Sequence, residues 1–234
     1  MELIIHGTGA MGTVVSDLAS QDKEIKITGF ADELTIEKGD VIIDFSHFSR
    51  LESLLNYSEK NRIPLVIATT GYSDEVLEKI KETSKKIPIL ISSNMSLGVN
   101  LMQDILERIV PILYGNYDIE LIEKHHNKKV DSPSGTAKTM LEVIEKGCSE
   151  KMERVYGREG IKKREENEIG VHVVRGGTIV GEHSVLFCGN DEIIEIKHTA
   201  LSKKIFGIGA IKASKFLVGK EPGLYSMKDI FSNL

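Results

Sequence analysis

Leu3-Ile4-Ile5 is a short apolar run that meets Gly7-Thr8-Gly9-Ala10-Met11-Gly12, and Val14, Val15, Leu18 and Ala19 follow at helical spacing. A strand, a glycine turn and a helix in that order constrain the chain to an α/β beginning with a parallel sheet. In G-x-G-x-x-G the glycines allow the tight turn, the close approach of a pyrophosphate and the packing of helix on strand. The motif alone is a weak signal. Its context, at the start of the chain between a strand and a helix, turns it toward a dinucleotide site. A second strand, Ile25–Phe30, runs into Ala31-Asp32-Glu33. This acidic pair stands about 20 residues after the glycines, where a carboxylate accepts hydrogen bonds from the adenosine ribose. Either Asp32 or Glu33 fits that role. No arginine follows them in the sequence to hold a 2′-phosphate, so NADH is the easier cofactor and NADPH the harder.

The next stretch repeats the pattern in trimmed form. Leu34–Asp40 supplies about half of the dozen residues that a parallel crossover normally takes. Strands are expected at Val41–Ser46, Leu65–Ile67 and Ile89–Ile91, with helices over Phe48–Lys60 and Tyr72–Lys85. Each strand leaves into a small or polar cluster: Asp44-Phe45-Ser46, then Ala68-Thr69-Thr70-Gly71, then Ser92-Ser93-Asn94-Met95. A row of polar strand exits is what a Rossmann crevice offers a cofactor, so Ala68, Thr69, Thr70 and Ser92 to Met95 are candidate cofactor contacts.

Chemistry concentrates later, in Glu123-Lys124-His125-His126-Asn127-Lys128-Lys129-Val130-Asp131-Ser132-Pro133-Ser134-Gly135-Thr136-Ala137. Two histidines, three lysines and two carboxylates share these fifteen positions. A run such as HHNKK is commonly a solvated basic loop. Here a strand precedes it, with Tyr117, Ile119 and Leu121 alternating against Asp118 and Glu120, and a capped helix follows. Ser134 is a suitable N-cap, and the amides near Gly135 and Thr136 face a helix N-terminus, which attracts a carboxylate or phosphate. A histidine and a lysine within four residues are positioned to exchange protons.

Ser96–Asn100 is expected to be a hinge, opening a helix over Leu101–Val110 that Pro111 ends. Beyond the helix through Lys146, Tyr156–Gly160 reads as a loop and Lys162–Glu168 as a solvated charge run. Val171–Arg175, Gly177–Val180, His183–Cys188 and Glu192–His198 read as strands of a mostly antiparallel sheet. One face of that sheet is expected to pack on helices and the other against a second subunit. A last helix from Phe206 returns to the first domain, and the tail around Gly223–Phe231 docks. The expected organisation is an N-terminal Rossmann-like parallel sheet, 1–96 with 206–234, plus an α+β substrate-binding and oligomerisation domain, 97–205.

Composition limits the partners. With 41% hydrophobic residues the chain can fill a sizeable core, and a formal charge of −5 speaks against nucleic acid. No apolar run approaches the ~18 residues of a membrane span. The sequence opens directly on a strand pattern, which speaks against a signal peptide. The two cysteines, Cys148 and Cys188, match neither a disulfide nor a metal pattern, so reduced thiols, a cytoplasmic location and no metal are expected.

The histidine stretch resembles the signature of the dihydrodipicolinate (4-hydroxy-tetrahydrodipicolinate) reductase family, E-x-H-H-x-x-K-x-D-x-P-S-G-T-A, at every fixed position. The likeness extends to the N-terminal glycine motif, Asp44-Phe45-Ser46, Thr69-Thr70-Gly71, Asn94–Asn100, Tyr156–Gly160, Arg175-Gly176-Gly177, Val180–His183 and the Gly-Leu-Tyr-x-Met-x-Asp tail. Most of the chain is covered, in the family's order. The resemblance implies an NAD(P)H-dependent reductase of a cyclic dicarboxylate in the diaminopimelate route to lysine, typically a homotetramer. It implies catalytic roles for His125, as acid/base, and Lys129, as proton donor. It implies substrate binding by His126, Ser134, Gly135 and Thr136, and cofactor binding by Gly7 to Gly12, Asp32 or Glu33, Ala68 to Thr70 and Ser92 to Met95.

The chain departs from the family in four places. Its glycine loop is one residue shorter than in many members. Ala68 replaces a usual glycine. The arginine after the acidic residue is missing. Lys203 and Lys204 stand where an arginine is common. Two other readings compete: another two-domain dehydrogenase, of the homoserine or aspartate kind, and a nucleotide-binding paralogue without catalysis. The first should lack the histidine signature, and the second has no need to keep both His125 and Lys129.

Overall fold

A computed structural model describes residues 1–35 and 38–231. The chain divides into two compact units, Met1–Leu97 with Lys204–Leu234, and Gly98–Lys203.

The first unit is built on a six-stranded sheet. Its strands are β1 (Glu2–His6), β2 (Lys26–Ala31), β3 (Val41–Asp44), β4 (Leu65–Ile67), β5 (Pro88–Ile91) and, from the tail, β11 (Gly223–Tyr225). They lie in the order β11-β5-β4-β3-β1-β2, and every pairing is parallel. The apolar runs noted in the sequence follow from this, because strands covered on both faces need hydrophobic side chains at odd and even positions alike. Leu3 and Ile5 turn to one face, packing with α1 (Ala10–Ser20) and α6 (Lys204–Leu217). Ile4 turns to the other, packing with α2 (Leu51–Asn61) and α3 (Asp74–Ser84). Gly207 lets α6 approach α1, since a Cβ there would stand 2.8 Å from Leu18 Cδ1. Gly209 lets the same helix reach the β5 exit, where a Cβ would fall 1.7 Å from the Met95 carbonyl oxygen. The tail docks as a true strand: β11 pairs with β5 at Leu224↔Ile89.

The second unit carries a five-stranded sheet, β10-β9-β6-β8-β7. The strands are β6 (Asp118–His125), β7 (Glu153–Tyr156), β8 (Glu168–Arg175), β9 (Gly181–Gly189) and β10 (Glu192–Ala200). The core lies between its inner face and two helices, α4 (Leu97–Leu113) and α5 (Gly135–Gly147), through Met102, Leu106, Met140, Leu141, Ile119 and Phe187. Among the described residues no helix is long and apolar enough to cross a membrane.

Several expectations need correction. The second sheet is mixed rather than mostly antiparallel, because β6–β8 and β7–β8 pair in parallel. Two crossovers return the chain in the same direction, α5 between β6 and β7 and the segment 157–167 between β7 and β8. Glu153–Tyr156 is a strand, and Gly177–Val180, expected as a strand, instead holds a turn at Gly177-Thr178. α4 begins at Leu97, inside the stretch Ser96–Asn100 where the two units divide, rather than at Leu101. Pro111 lies inside α4, exposed in its last turns, and Tyr114 N–H still reaches Val110 C=O at 2.9 Å. A proline so near the end removes little from the ladder. Glu168, placed in the solvated charge run, is fully buried and takes hydrogen bonds from Arg158 and Lys162 at 2.7 and 3.3 Å.

Candidate active site

The glycine turn joins β1 to α1. Gly7 has φ +103°, and a Cβ there would strike the Phe45 backbone at 2.7 Å. Gly12 sits against the turn, where a Cβ would fall 1.8 Å from the Gly7 carbonyl oxygen. Gly9, the N-cap of α1, has nothing within 4 Å of a Cβ position and contributes no side-chain cap. Two glycines are therefore fixed by packing and the third leaves an open approach to a helix N-terminus, an arrangement that accommodates a pyrophosphate. Ala10, Met11 and Gly12 form the first turn of α1.

Asp32 follows β2 and is tied back to this turn. Thr8 N–H donates to its Oδ1 at 3.0 Å and Thr8 Oγ1–H to its Oδ2 at 2.7 Å. These bonds, with the Arg50 charge, hold the carboxyl below its usual pKa despite some desolvation. His6 bridges the adjacent strand ends, with Nδ1 at 2.8 Å from Asp44 Oδ1 and Nε2 at 3.1 Å from the Asp32 carbonyl. Ala68 N–H donates to Asp44 C=O at 3.0 Å, Thr69 is buried and Thr70 exposed. Ser92 Oγ–H donates to Asn94 C=O at 2.8 Å, so the β5 exit is a self-bonded loop. The Met95 side chain belongs to the hydrophobic core, which leaves only its backbone for a ligand.

The residues expected to move protons, His125 and Lys129, lie in the second unit. Along β6 the positions Ile119, Leu121, Glu123 and His125 all turn to the inner face, as the two-residue period of a strand requires. The last two of that row are polar, so the sequence buries a carboxylate and an imidazole side by side. Glu123 is fully buried and accepts four hydrogen bonds: two from Arg175 at 2.8 Å each, one from His125 Nδ1 at 2.5 Å, and one from Ser134 N–H at 2.9 Å. Burial works against its charge, but Arg175, His125 and Ser134 together keep its pKa below the usual carboxylate range.

An ionised Glu123 can only accept, so His125 donates from Nδ1 and presents Nε2 for chemistry. Gly181 makes room for that edge, because a Cβ there would stand 3.0 Å from Nε2. Burial, opposed by Glu123 and assisted by Lys129 and Arg175, lowers the His125 pKa. His125 is therefore a neutral base near pH 7.

The turn after β6 is clasped by its neighbour. Gly176 N–H donates to His125 C=O at 2.9 Å and Asn127 N–H to Gly177 C=O at 3.2 Å. Lys129 Nζ lies 2.7 Å from Asp131 Oδ1, and Asp131 is held low in pKa first by Lys129 and also by the Gly135 backbone. The ammonium and the start of α5 thus already gather one carboxylate between them. Ser134 is the N-cap of α5, accepting from Ala137 N–H at 3.2 Å, and its Oγ lies 2.9 Å from His183 Nε2. His183 stands edge-on to His125, ring centres 5.2 Å apart, and burial pushes its pKa down to about 4. His126 and Thr136 are half-buried and Gly135 is exposed.

The sequence points to roles for His125, Lys129 and Ser134 but to none for Glu123, Arg175, His183 and Gly181, although all four lie in stretches that carry the family likeness. Glu123 was within reach, since two polar residues ending an inward-facing row is itself a signal. Arg175, His183 and Gly181 come from β8 and β9, and apart from the likeness of Arg175-Gly176-Gly177 and Val180–His183 no local spacing ties them to His125. Sequence also missed Arg50, which lies 3.4 Å from Asp32 Oδ1 although eighteen positions separate them.

A glycine-turn parallel sheet, carried in one chain with a buried carboxylate–histidine pair and a lysine poised on an anion site, defines a nicotinamide-nucleotide-linked oxidoreductase. Family models agree: one described as dihydrodipicolinate reductase, N-terminus, matches residues 31–95, and one described as dihydrodipicolinate reductase, C-terminus, matches 98–231. The 4-hydroxy-tetrahydrodipicolinate reductase of Brachyspira hyodysenteriae is 55% identical over 99% of this chain and all of its own length. That of Clostridium botulinum is 46% identical over 98% of each chain. A dipicolinate-bound dihydrodipicolinate reductase from Paenisporosarcina sp. TG-14 has the same fold, with TM-score 0.82, 20% identity and 97% coverage of both chains. The chain belongs to the dihydrodipicolinate reductase family.

Proposed function

We propose that the chain reduces (2S,4S)-4-hydroxy-2,3,4,5-tetrahydrodipicolinate to tetrahydrodipicolinate, with loss of water, in the diaminopimelate route to lysine. The observation that carries this reading is the Glu123–His125 pair beside Lys129 and the α5 N-terminus. A cyclic dicarboxylate needs cationic and amide donors for its carboxylates, and its reduction needs a proton as well as a hydride. The nicotinamide cofactor, when bound, supplies the hydride. Lys129, now on Asp131, and the amides of Gly135 and Thr136 receive a substrate carboxylate, with His126 and Ser134 alongside. Lys129 serves as proton donor and His125 Nε2 as acid/base, its ring held by Glu123. A fixed donor of this kind contributes about 10²- to 10⁴-fold.

Gly7 to Gly12 hold the pyrophosphate and Asp32 the adenosine ribose. Ala68, Thr69 and Thr70, with Ser92, Ser93, Asn94 and the Met95 backbone, line the nicotinamide side. A carboxylate at the ribose favours the diol of NADH over NADPH. We assign a homotetramer formed through the outer sheet face of the second unit, where Val174 and Ile193 are exposed among ion pairs such as Lys124–Glu182. Two free thiols support a cytoplasmic setting.

The test is a coupled assay in which dihydrodipicolinate synthase, pyruvate and aspartate semialdehyde generate the labile substrate. Oxidation of NADH or NADPH is followed at the nicotinamide band. Synthase-dependent oxidation is expected. A folded protein that binds NADH but oxidises neither cofactor overturns the reading in favour of a non-catalytic paralogue.

A further inference from the structure

We propose that Arg50 is a specificity-determining residue that lets this chain hold the 2′-phosphate of NADPH at the Asp32 corner. The inference rests on the reading that Asp32 meets the adenosine ribose. It runs against the expectation drawn from the sequence, in which no arginine was near.

Arg50 ends the 3₁₀ turn Phe48–Arg50 that leads into α2. Its Nη1 donates to the Asp32 carbonyl at 2.7 Å and lies 3.4 Å from Asp32 Oδ1. Both bonds use Nη1. A guanidinium has five N–H donors, so the three on Nε and Nη2 have no partner among the described residues. The side chain is 43% exposed. It borders a cavity of about 400 Å³, whose walls include His6, Asp32, Leu34, Leu54 and Tyr57. The three apolar or aromatic side chains suit an adenine ring, with Asp32 and Arg50 at the ribose edge.

The carboxylate is already engaged. Thr8 takes both Asp32 oxygens, one through its amide and one through its hydroxyl. A 2′-hydroxyl must share acceptors that Thr8 uses, whereas a 2′-phosphate brings its own oxygens and needs a donor. The guanidinium, anchored at one nitrogen and open at the others, is that donor, and its planar fork matches a phosphate. It also offsets the repulsion that Asp32 and Glu33 exert on a dianion. With NADH bound Arg50 stays on Asp32. With NADPH bound it bridges Asp32 and the phosphate.

The experiment is direct binding by titration calorimetry at fixed ionic strength, using NADH, NADPH and the fragment 2′-AMP. The proteins are wild type, Arg50→Met, Arg50→Lys and Asp32→Asn. Wild type is expected to bind all three. Arg50→Met is expected to weaken NADPH and 2′-AMP by about 10- to 100-fold, the scale of a charge-assisted contact, and to change NADH by less than about threefold. Arg50→Lys should recover part of the loss, because the charge remains while the fork is gone. Asp32→Asn should weaken NADH more than NADPH. Equal loss of NADH and NADPH in Arg50→Met, with an unchanged melting temperature, overturns the proposal and makes Arg50 a support of the loop. So does wild-type NADPH binding that survives Arg50→Met intact. If wild type binds neither dinucleotide, the nucleotide reading of the glycine loop fails first, which separates the two failures.

Discussion

Replacing Glu123 by Gln removes one charge and almost no volume, at a position with no solvent exposure. The loss is spread over four bonds. Arg175 keeps its charge with only 19% of its side chain exposed, so the change strands a guanidinium rather than deleting a pair. Breaking a buried pair from one side costs about 3–5 kcal/mol, and the partial exposure of Arg175 points to the lower end, about 3 kcal/mol. In a chain of this size that lowers the melting temperature by about 6–12 °C.

The catalytic effect has a different cause. His125 loses its anionic acceptor, leaving one neutral amide oxygen to serve the donors that two carboxylate oxygens served, and with the charge goes an influence that raises its pKa. Its pKa, already depressed, falls further, so the His125 limb of the kcat/KM profile shifts to lower pH. The drop in kcat is about 10²-fold, that of a mispositioned proton donor. The assay is a pH series of the coupled reaction beside thermal unfolding of Glu123→Gln, Arg175→Met and the double variant. The double variant should regain stability relative to Glu123→Gln, because no charge is stranded, yet it should not regain kcat. A Glu123→Gln enzyme with near-normal kcat and an unmoved pH limb would refute the positioning argument. A double variant as unstable as the sum of the singles would refute the electrostatic one.

His125→Ala and Lys129→Ala should each lower kcat by about 10²-fold or more while NADH binding, measured by calorimetry, persists. His183 has its folded pKa lowered from 6.5 to about 4, by burial and by the neighbouring His125. The unfolded chain therefore binds the extra proton between those values, and stability is full above about pH 6.5 and falls as pH drops toward about 4, by roughly 3 kcal/mol from this residue. Urea unfolding at pH 7 and pH 4.5 should show that slope, and His183→Gln should flatten it. Gly181→Ala places a methyl 3.0 Å from His125 Nε2; kcat should fall with little change in melting temperature, since the ring is displaced in an otherwise unaltered sheet. Gly12→Ala meets the Gly7 carbonyl at 1.8 Å; it should destabilise the first unit by about 1–3 kcal/mol and weaken NADH and NADPH alike.

The parallel half of the fold was legible because its physics is local. Leu3-Ile4-Ile5 must be covered on both sides, Gly7 and Gly12 are forced by the turn, and α1 follows at helical spacing. The β2–β3 link was readable as a length too short for a full crossover helix; its residues 36 and 37 lie outside the described residues. The tail's apolar character showed that it docks, though not that Gly223–Tyr225 adds a strand beside β5. The second sheet was read less well. Its pairings depend on β8 inserting between β6 and β7, the two strands that α5 connects, and β7 has too few residues to declare itself.

At the proton site the same division holds. The composition of the stretch from Glu123 to Ala137 determined that a histidine, a lysine and a helix N-terminus would share one turn, since short-range geometry places residues so close in sequence near one another. Which cation sustains the Glu123 carboxylate that holds His125, and which glycine clears the Nε2 edge of the ring, were decided by β8 and β9. At the proposed nucleotide corner, Asp32 was singled out by its distance from the glycines, but Arg50 reaches it across β1 from another strand exit. Contacts of that kind exist only once the sheet has ordered its strands, because strand order is fixed by burial summed over the whole unit and by no single segment.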